Sequence, residues 1–364
     1  MVNTLSHLGV GLLIASVAGL EGRQRKIVAF LAILPDLDFF SDALLILVGG
    51  NFTHQTYVQL YYLFGHREFI HSLLFILFIT AMLWFYGRDR TFTIAGFAAL
   101  FSHFYLDYAT TWKMRPLYPF IEESSIVGAF DSFDPIVMIV SLVPVYFLAA
   151  EELKRRGVID TVPGNRLNSS REVRFRTDRI LLLVLVLWCI ITPVSKAFLV
   201  SYISDTEGHD ISYQNSYPNY FGSFLSAYPY NQTHYKVIET SYWTGIKRSM
   251  FVPIVSGDGA DSNQEYIRLA TELYDSAPFQ EIDYITYNVS NDEKTVTVTL
   301  QDARNPFAIF WTYFRTEYVF EFDRDHKEYT AYVRRETLYY EEAPNSWFWI
   351  PLLLHVHKLL ILTT

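Results

Sequence analysis

Six long apolar runs alternate with short polar segments in the first 203 residues of the chain. They cover residues 5–20, 27–48, 69–86, 92–108, 136–150 and 180–203. A helix that crosses a bilayer needs roughly 17 to 25 such residues, and the first and fifth runs are at or just below that limit. The pattern predicts a polytopic α-helical membrane domain of about six spans.

After residue 203 the pattern changes to short alternating segments. Residues 205–230 are rich in Tyr, Asn, Ser, Gly and Pro, which predicts an irregular linker. Alternation then predicts strands over 235–242, 247–255, 284–289, 295–300, 312–322 and 329–338, with one helix over 262–274. Polar segments 291–294 and 323–326 are typical of hairpin turns. A β-rich domain therefore follows the helices.

The last apolar run, residues 347–362, carries His355, His357 and Lys358 near its middle. A lysine at the bilayer centre costs ~3 kcal/mol on insertion scales. We therefore predict a helix that lies in the membrane interface, with a short further span as the alternative.

Composition supports this division of the chain. The sequence is 51% hydrophobic with a mean hydropathy of +0.15, too apolar for an ordinary soluble protein and too mild for one embedded throughout. The predicted domains, in chain order, are a membrane-embedded helical domain with the metal site (1–150), a basic cytoplasmic loop (151–179), a transmembrane tether (180–203), the extracytoplasmic β-rich domain (204–345) and the C-terminal interfacial or membrane helix (346–364).

Positive charge follows every second apolar run. Basic residues lie at 23–26, at 88–90 and repeatedly through 154–179. Basic loops stay in the cytoplasm by the positive-inside rule. This predicts a multi-pass protein of the cell membrane whose N-terminus and 204–345 domain are extracytoplasmic.

The net charge argues against a nucleic acid partner, and the cysteine content excludes two kinds of site. The net charge is −9, and the basic loops are explained by topology and anionic lipid, so we expect no nucleic acid partner. The single cysteine, Cys189, lies inside the sixth run and excludes both an intrachain disulfide and a thiolate metal site. The bilayer is the expected partner.

Histidines and aspartates stand at the ends of the apolar runs, all on the predicted outer side. Ionisable groups at membrane depth are costly unless they are paired or bind metal. Their convergence predicts a metal site, and ligands without sulfur suit Zn first, with Mn or Fe as alternatives. The residues are His7, Asp36, Asp38, His66, His71, His103 and Asp107.

Two local spacings support the site. His103 and Asp107 are four residues apart, so a helix projects both from one face. The alternative is a buried polar contact between helices. Pro35 predicts a break that turns Asp36 or Asp38 into the site, and the alternative is that these acids cap a helix end.

The order of these motifs resembles the YdjM-type family of membrane-bound metal-dependent hydrolases, itself regarded as a distant relative of zinc-dependent phospholipase C and P1 nuclease. The resemblance covers about residues 1–150. It rests on His7, Leu34-Pro35-Asp36-Leu37-Asp38, His66-Arg67 with His71-Ser72, and His103 with Asp107.

The resemblance implies a set of metal ligands with two further residues in or beside it. The soluble relatives use an N-terminal tryptophan amine as a ligand, whereas this chain begins with Met1, and residues 108–150 contain no histidine. We therefore expect one or two metal ions rather than three. The implied ligands are His7, Asp36, His71, His103 and Asp107, with Asp38 and His66 in or beside the set.

The resemblance also implies hydrolysis of a phosphoester, with Asp36 or Asp38 accepting a proton from water. Arg67, Lys113 and Arg115 are candidates to neutralise a phosphate, or else they reach the membrane interface. The expected substrate is a lipid or lipid-linked phosphoester at the outer leaflet. The alternative is a transporter or membrane scaffold that uses the cluster as an ion or proton relay, and the lack of an inverted repeat speaks against a transporter.

Overall fold

The computed structural model describes residues 3–158, 171–258, 261–276, 282–308, 315–324, 329–335 and 358–359. The chain divides into two compact units. The helical unit comprises residues 1–49 and 59–198, and the β unit comprises residues 50–58 and 199–364.

Most of the helical unit consists of short helices joined by tight turns. A turn of 3-10 helix, Pro35–Leu37, separates the second helix from the third, and another, Phe69–His71, precedes the fifth. The α-helices are α1 (Thr4–Val17), α2 (Gly22–Leu31), α3 (Asp38–Val48), α4 (His54–Phe64), α5 (Leu73–Gly87), α6 (Arg90–Tyr108), α7 (Pro135–Arg155), α8 (Arg171–Glu207) and, in the β unit, α9 (Gln264–Ser276).

The prediction of about six membrane spans is wrong. Within the described ranges, two helices are long and apolar enough to cross a bilayer, Pro135–Arg155 and Phe175–Glu207. A third crossing is reached only if Gln55–His71 and Leu73–Gly87, bent by 66° at their junction, count as one broken span. These assignments rest on length and composition alone.

The other apolar runs fail because their helices are too short or too polar. α1 has 14 residues, about 21 Å of helix, whereas the hydrocarbon core is about 30 Å thick. The run 27–48 is divided at Pro35, whose ring removes a backbone donor and clashes with the preceding turn. α6 has 19 residues but carries buried His103 and Asp107, so it is not among the candidate spans.

Two glycines let α1 approach its neighbours closely. A Cβ at Gly9 would overlap the Ser141 carbonyl oxygen of α7, and one at Gly11 would lie 2.6 Å from the Ala32 Cβ just after α2. Leu13 and Leu100 are fully buried in the same apolar core. Because α1 is held between α2 and α7, the position of His7 near its start is fixed by backbone packing.

The described residues of the β unit form two sheets. The first has the order β1-β2-β3-β4 and the second β10-β9-β8-β7-β6-β5, all antiparallel except the β5/β6 pair. The strands are β1 (Tyr217–Tyr220), β2 (Ser223–Pro229), β3 (His234–Ser241), β4 (Gly245–Pro253), β5 (Val255–Ser256), β6 (Ile285–Asn291), β7 (Thr295–Asp302), β8 (Thr316–Asp323), β9 (Tyr329–Arg335) and β10 (Lys358–Leu359).

The predicted strands 235–242, 247–255, 284–289 and 295–300 coincide with β3, β4, β6 and β7. The helix predicted over 262–274 is α9. The linker predicted over 205–230 is wrong, because it contains β1 and β2. Of the predicted helix 346–364, only Lys358–Leu359 is described, and it forms β10 instead. The rest of that segment lies outside the described residues.

Each sheet has its own apolar core. α9 packs Ile267, Ala270 and Tyr274 against buried residues of β7 and β8, among them Val298 and Phe320. The end of α8 supplies the core beside the first sheet, as described below.

A buried arginine joins the start of the first sheet to the second. The Arg304 side chain is fully buried, and it donates to Asp302 and Asp283 over 2.7 Å each and to the Asn215 carbonyl over 2.6 Å. The Tyr217 ring lies against its guanidinium carbon at 4.6 Å. Burial lowers the pKa of Arg304, but the two carboxylates outweigh burial and raise it, so the guanidinium stays charged.

Candidate metal centre

Helix α6 places the first two members of the cluster. The Asp89 side chain caps the helix by accepting from the Phe92 N–H over 3.1 Å. The helix then carries His103 and Asp107 one turn apart, and both are 0% exposed. The predicted spacing on one helix is confirmed.

Backbone contact selects the tautomer of His103. Its Nδ1 lies 2.7 Å from the Ala32 carbonyl oxygen, which can only accept, so Nδ1 carries the proton. Nε2 then presents a lone pair to the cluster. Metal-binding histidines are usually fixed in this way, by a carbonyl or carboxylate on the ring nitrogen that does not bind.

His71 is oriented by a carboxylate. Its Nδ1 lies 2.9 Å from Asp38 Oδ2, and its Nε2 lies 3.1 Å from His103 Nε2. If both Nδ1 atoms are protonated, two lone pairs face each other at that distance, which is unfavourable without a proton or cation near them. Two nitrogens on one tetrahedral zinc ion lie about 3.3 Å apart.

His7 comes from the start of α1. The Asn3 side chain caps this helix by accepting from the Ser6 N–H over 2.9 Å. The His7 ring stacks on His103 with centroids 3.8 Å apart, and its Nε2 lies 3.3 Å from Asp107 Oδ1. The buried Nδ1 has no hydrogen-bond partner among the described residues.

Asp36 lies in the 3-10 turn at Pro35, so the predicted helix break is confirmed. Its side chain is 8% exposed, and Oδ1 lies 3.6 Å from His103 Nε2. Neither carboxylate oxygen has a hydrogen-bond partner in the described part of the chain. A buried carboxylate left in this state is costly, and a cation is the usual compensation.

Four of these side chains form a group that could hold a metal ion. Ligand atoms of His7, Asp36, His103 and Asp107 all lie within 4.8 Å of one another. Ligand atoms around one tetrahedral zinc ion lie about 3.3 Å apart, so the most distant pair needs to close by only about 1.5 Å. Buried, unpaired oxygens and imidazole nitrogens therefore fit a divalent cation.

Asp38 lies beside this group, and its carboxylate already accepts hydrogen bonds from the protein. Besides its 2.9 Å contact with His71, it accepts from His66 Nδ1 over 2.6 Å and from the Arg67 backbone N–H over 3.0 Å. The Asp38 side chain is fully buried, whereas that of His66 is 22% exposed. The structure thus brings His71 and Asp38 to the edge of the four-residue group and places His66 behind Asp38.

Arg67 neutralises part of the charge of Asp107. Its Nη2 donates to Asp107 Oδ2 over 3.0 Å, and its side chain is 6% exposed. The guanidinium carbon lies 5.4 Å from the centre of the Trp112 ring. Nη1 is buried without a hydrogen-bond partner among the described residues. Arg67 has a φ of 69°, a left-handed conformation that turns the side chain inward.

Arg115, another of the candidate cations, is paired. It contacts Glu68 at 2.5 Å and lies over the Tyr62 ring at 4.7 Å. The sequence analysis missed three contributors: the Ala32 carbonyl, the Glu68 carboxylate and the Trp112 ring. A backbone carbonyl carries no sequence signal, and the partners of Glu68 and Trp112 depend on tertiary contacts. The individual roles assigned to the site residues stay predictions.

Comparison with known proteins adds the family. Comparisons with curated proteins and with solved structures found no match. The family model described as YdjM inner membrane protein matches residues 1–201, which include the whole cluster, α7 and most of α8. Because this match covers more than half of the 364 residues, the chain belongs to the YdjM inner membrane protein family.

Proposed function

We propose that this membrane protein is a metal-dependent hydrolase that cleaves a phosphoester bond of a lipid or lipid-linked substrate. One observation carries the proposal: the Asp36 carboxylate is buried without a hydrogen-bond partner among the described residues, beside His103 Nε2 and within the group formed with His7 and Asp107. The motifs resemble those of the YdjM-type membrane-bound hydrolases, a family regarded as a distant relative of zinc-dependent phospholipase C and P1 nuclease, and this favours the same chemistry.

The donor set favours zinc. Imidazole and carboxylate without thiolate suit Zn first, and Mn or Fe as alternatives. His7, Asp36, His103 and Asp107 are the proposed ligands of one ion, and His71 is at hand for the same or a second ion. When bound, such an ion supplies Lewis acidity, which makes water acidic enough to attack near neutral pH and offsets charge on a phosphoryl oxygen.

Side chains of the protein supply the remaining roles. Asp38 accepts from His66 and from the Arg67 N–H, and its Oδ2 lies 2.9 Å from His71 Nδ1, so it orients His66 and limits where His71 can lie. Neither oxygen of Asp36 has a hydrogen-bond partner among the described residues, so one can bind the ion while the other accepts a proton. Arg67 holds Asp107 through Nη2 and keeps Nη1 for an anionic oxygen of the substrate.

Charge around the two candidate spans supports an outward-facing site. Basic residues lie at the end of α7 (154–156) and in the first turns of α8 (171–179), which favours a cytoplasmic position for the connection between them. The start of α7 and the chain after α8 are then outside. The proposed substrate therefore comes from the outer leaflet.

The proposal is tested with purified full-length protein loaded with zinc. The probes are bis(p-nitrophenyl) phosphate, a small phosphodiester, and phosphatidylglycerol vesicles. Asp36→Asn keeps the side-chain shape and removes its charge, and we expect it to lower turnover by at least about 100-fold. Asp292→Asn, in the exposed turn after β6, is the matched control and should keep the parent rate. Equal rates in both variants, or no cleavage of either probe by the loaded parent, would refute the hydrolase.

A further inference from the structure

Helix α8 continues well beyond the thickness of a bilayer. It runs for 37 residues, about 55 Å at 1.5 Å per residue, whereas the hydrocarbon core takes about 20 residues. The basic residues of its first turns end at Arg179. Lys196, further along, is fully buried and donates to the Val127 carbonyl over 2.7 Å. Counting about 20 residues from Ile180 places the far edge of the hydrocarbon near Val200. The last two turns of α8 therefore rise through the headgroup region and out of it.

These last turns are part of the β unit. Leu199, Val200 and Ile203 are buried in one cluster with Phe224 and Ile238 of the first sheet. Contacts at Tyr202 and at Glu207 fix the direction in which β3 runs along the end of α8.

At the end of α8, Glu207 accepts from Lys236 of β3 over 2.5 Å and from Tyr228 of β2 over 2.9 Å. Nearer the span, the Tyr202 hydroxyl lies 3.2 Å from the position of a Cβ at Gly245. β3 therefore runs back along the end of α8 as the chain advances, from Glu207 toward Tyr202. The turn between β3 and β4 lies beside Tyr202.

This turn carries an exposed tryptophan on a fixed backbone. Trp243 is 75% exposed, and neighbouring Tyr202 is 48% exposed. The Trp243 N–H donates to the Ser241 hydroxyl over 3.2 Å, and the Tyr242 N–H donates to the Gly222 carbonyl of the adjacent turn over 3.0 Å. Gly222 has a φ of 73°, and a Cβ there would lie 2.9 Å from Trp243 Nε1.

We infer that the turn formed by residues 242–245 anchors the β unit in the headgroup region of the bilayer. Tryptophan and tyrosine favour this region, because an apolar ring with a polar edge suits its mixed environment. The occupant is lipid because Trp243 and Tyr202 lie at the level where the apolar surface of α8 ends. The anchor does not depend on the proposed hydrolase.

The test uses full-length protein in vesicles of phosphatidylethanolamine and phosphatidylglycerol. The fluorescence difference between the parent and Trp243→Phe isolates the indole of residue 243. We expect lipids brominated near the headgroup end of the chain to quench this difference at least about twofold more than lipids brominated near the chain end. Aqueous iodide should quench it weakly.

A second measurement covers the case in which Trp243→Phe does not fold. In a Cys189→Ala background, a nitroxide label on Thr244→Cys should collide with oxygen, which concentrates in lipid. The same label on Glu265→Cys, exposed on α9, should collide with a water-soluble nickel complex. Exposure of residue 243 to iodide together with exposure of the label at residue 244 to the nickel complex would overturn the anchor. Protection of residue 243 from iodide and brominated lipid alike would assign the surface to a protein and overturn it as well.

Discussion

Replacing His103 by alanine is expected to lower the affinity of the protein for zinc by at least about 100-fold. The side chain is fully buried and lies against four other members of the cluster: its ring stacks on His7, and its Nε2 lies within 4 Å of His71, Asp36 and Asp107. Its loss removes a ligand and leaves two carboxylates without that neighbour. Competition with a chromophoric chelator measures the affinity.

Two further variants serve as controls, one with a smaller expected loss of zinc affinity and one with none. Asp38→Asn removes the charge that orients His71 but none of the four grouped residues, so we expect a smaller loss of about tenfold. His209→Ala changes an exposed histidine of the β unit and should leave the affinity unchanged. Equal affinity in the parent and His103→Ala would mean that the cluster is a structural polar network.

Replacing Arg304 by alanine is expected to destabilise the β unit by about 3 to 5 kcal/mol. The substitution leaves Asp302 and Asp283, whose side chains are 3% and 8% exposed, buried without their cation. Hydrogen exchange of peptides from β6 and β7, read by mass spectrometry, reports the free energy of opening. Exchange in α1 and α6 should stay as in the parent.

Arg268→Ala is the matched control. Arg268 is 63% exposed on α9 and pairs with Glu272 one turn away, an arrangement worth about 0.5 kcal/mol or less. Similar exchange in the two variants would show that the buried arginine network contributes little to stability.

Local patterns predicted local structure well. Pro35 marked the break between α2 and α3, and the alternation after residue 235 marked β3, β4, β6 and β7. Hydrophobic content alone overestimated the number of membrane spans, because a buried core helix and a spanning helix are equally apolar. In α1, Gly9 and Gly11 serve close packing against α7 and α2, a purpose that hydropathy does not distinguish from exposure to lipid.

The residue types of the cluster were predictable, but their division of contacts was not. Asp36 and Asp38 are two residues apart and equivalent in sequence. Asp38 nevertheless accepts from two donors and lies 2.9 Å from His71 Nδ1, whereas Asp36 has no hydrogen-bond partner among the described residues. The contact between Arg67 and Asp107 depends on a left-handed backbone at a non-glycine residue. Tertiary packing selects that conformation against local preference.

X-ray absorption at the zinc edge of the purified, zinc-loaded protein tests the central claim most directly. We expect one or two ions per chain, with nitrogen and oxygen ligands at about 2.0 to 2.2 Å, the outer scattering of imidazole rings and no sulfur. His103→Ala should weaken the imidazole signal. A spectrum of oxygen ligands without imidazole, identical in the parent and the variant, would contradict a metal centre at His7, Asp36, His103 and Asp107.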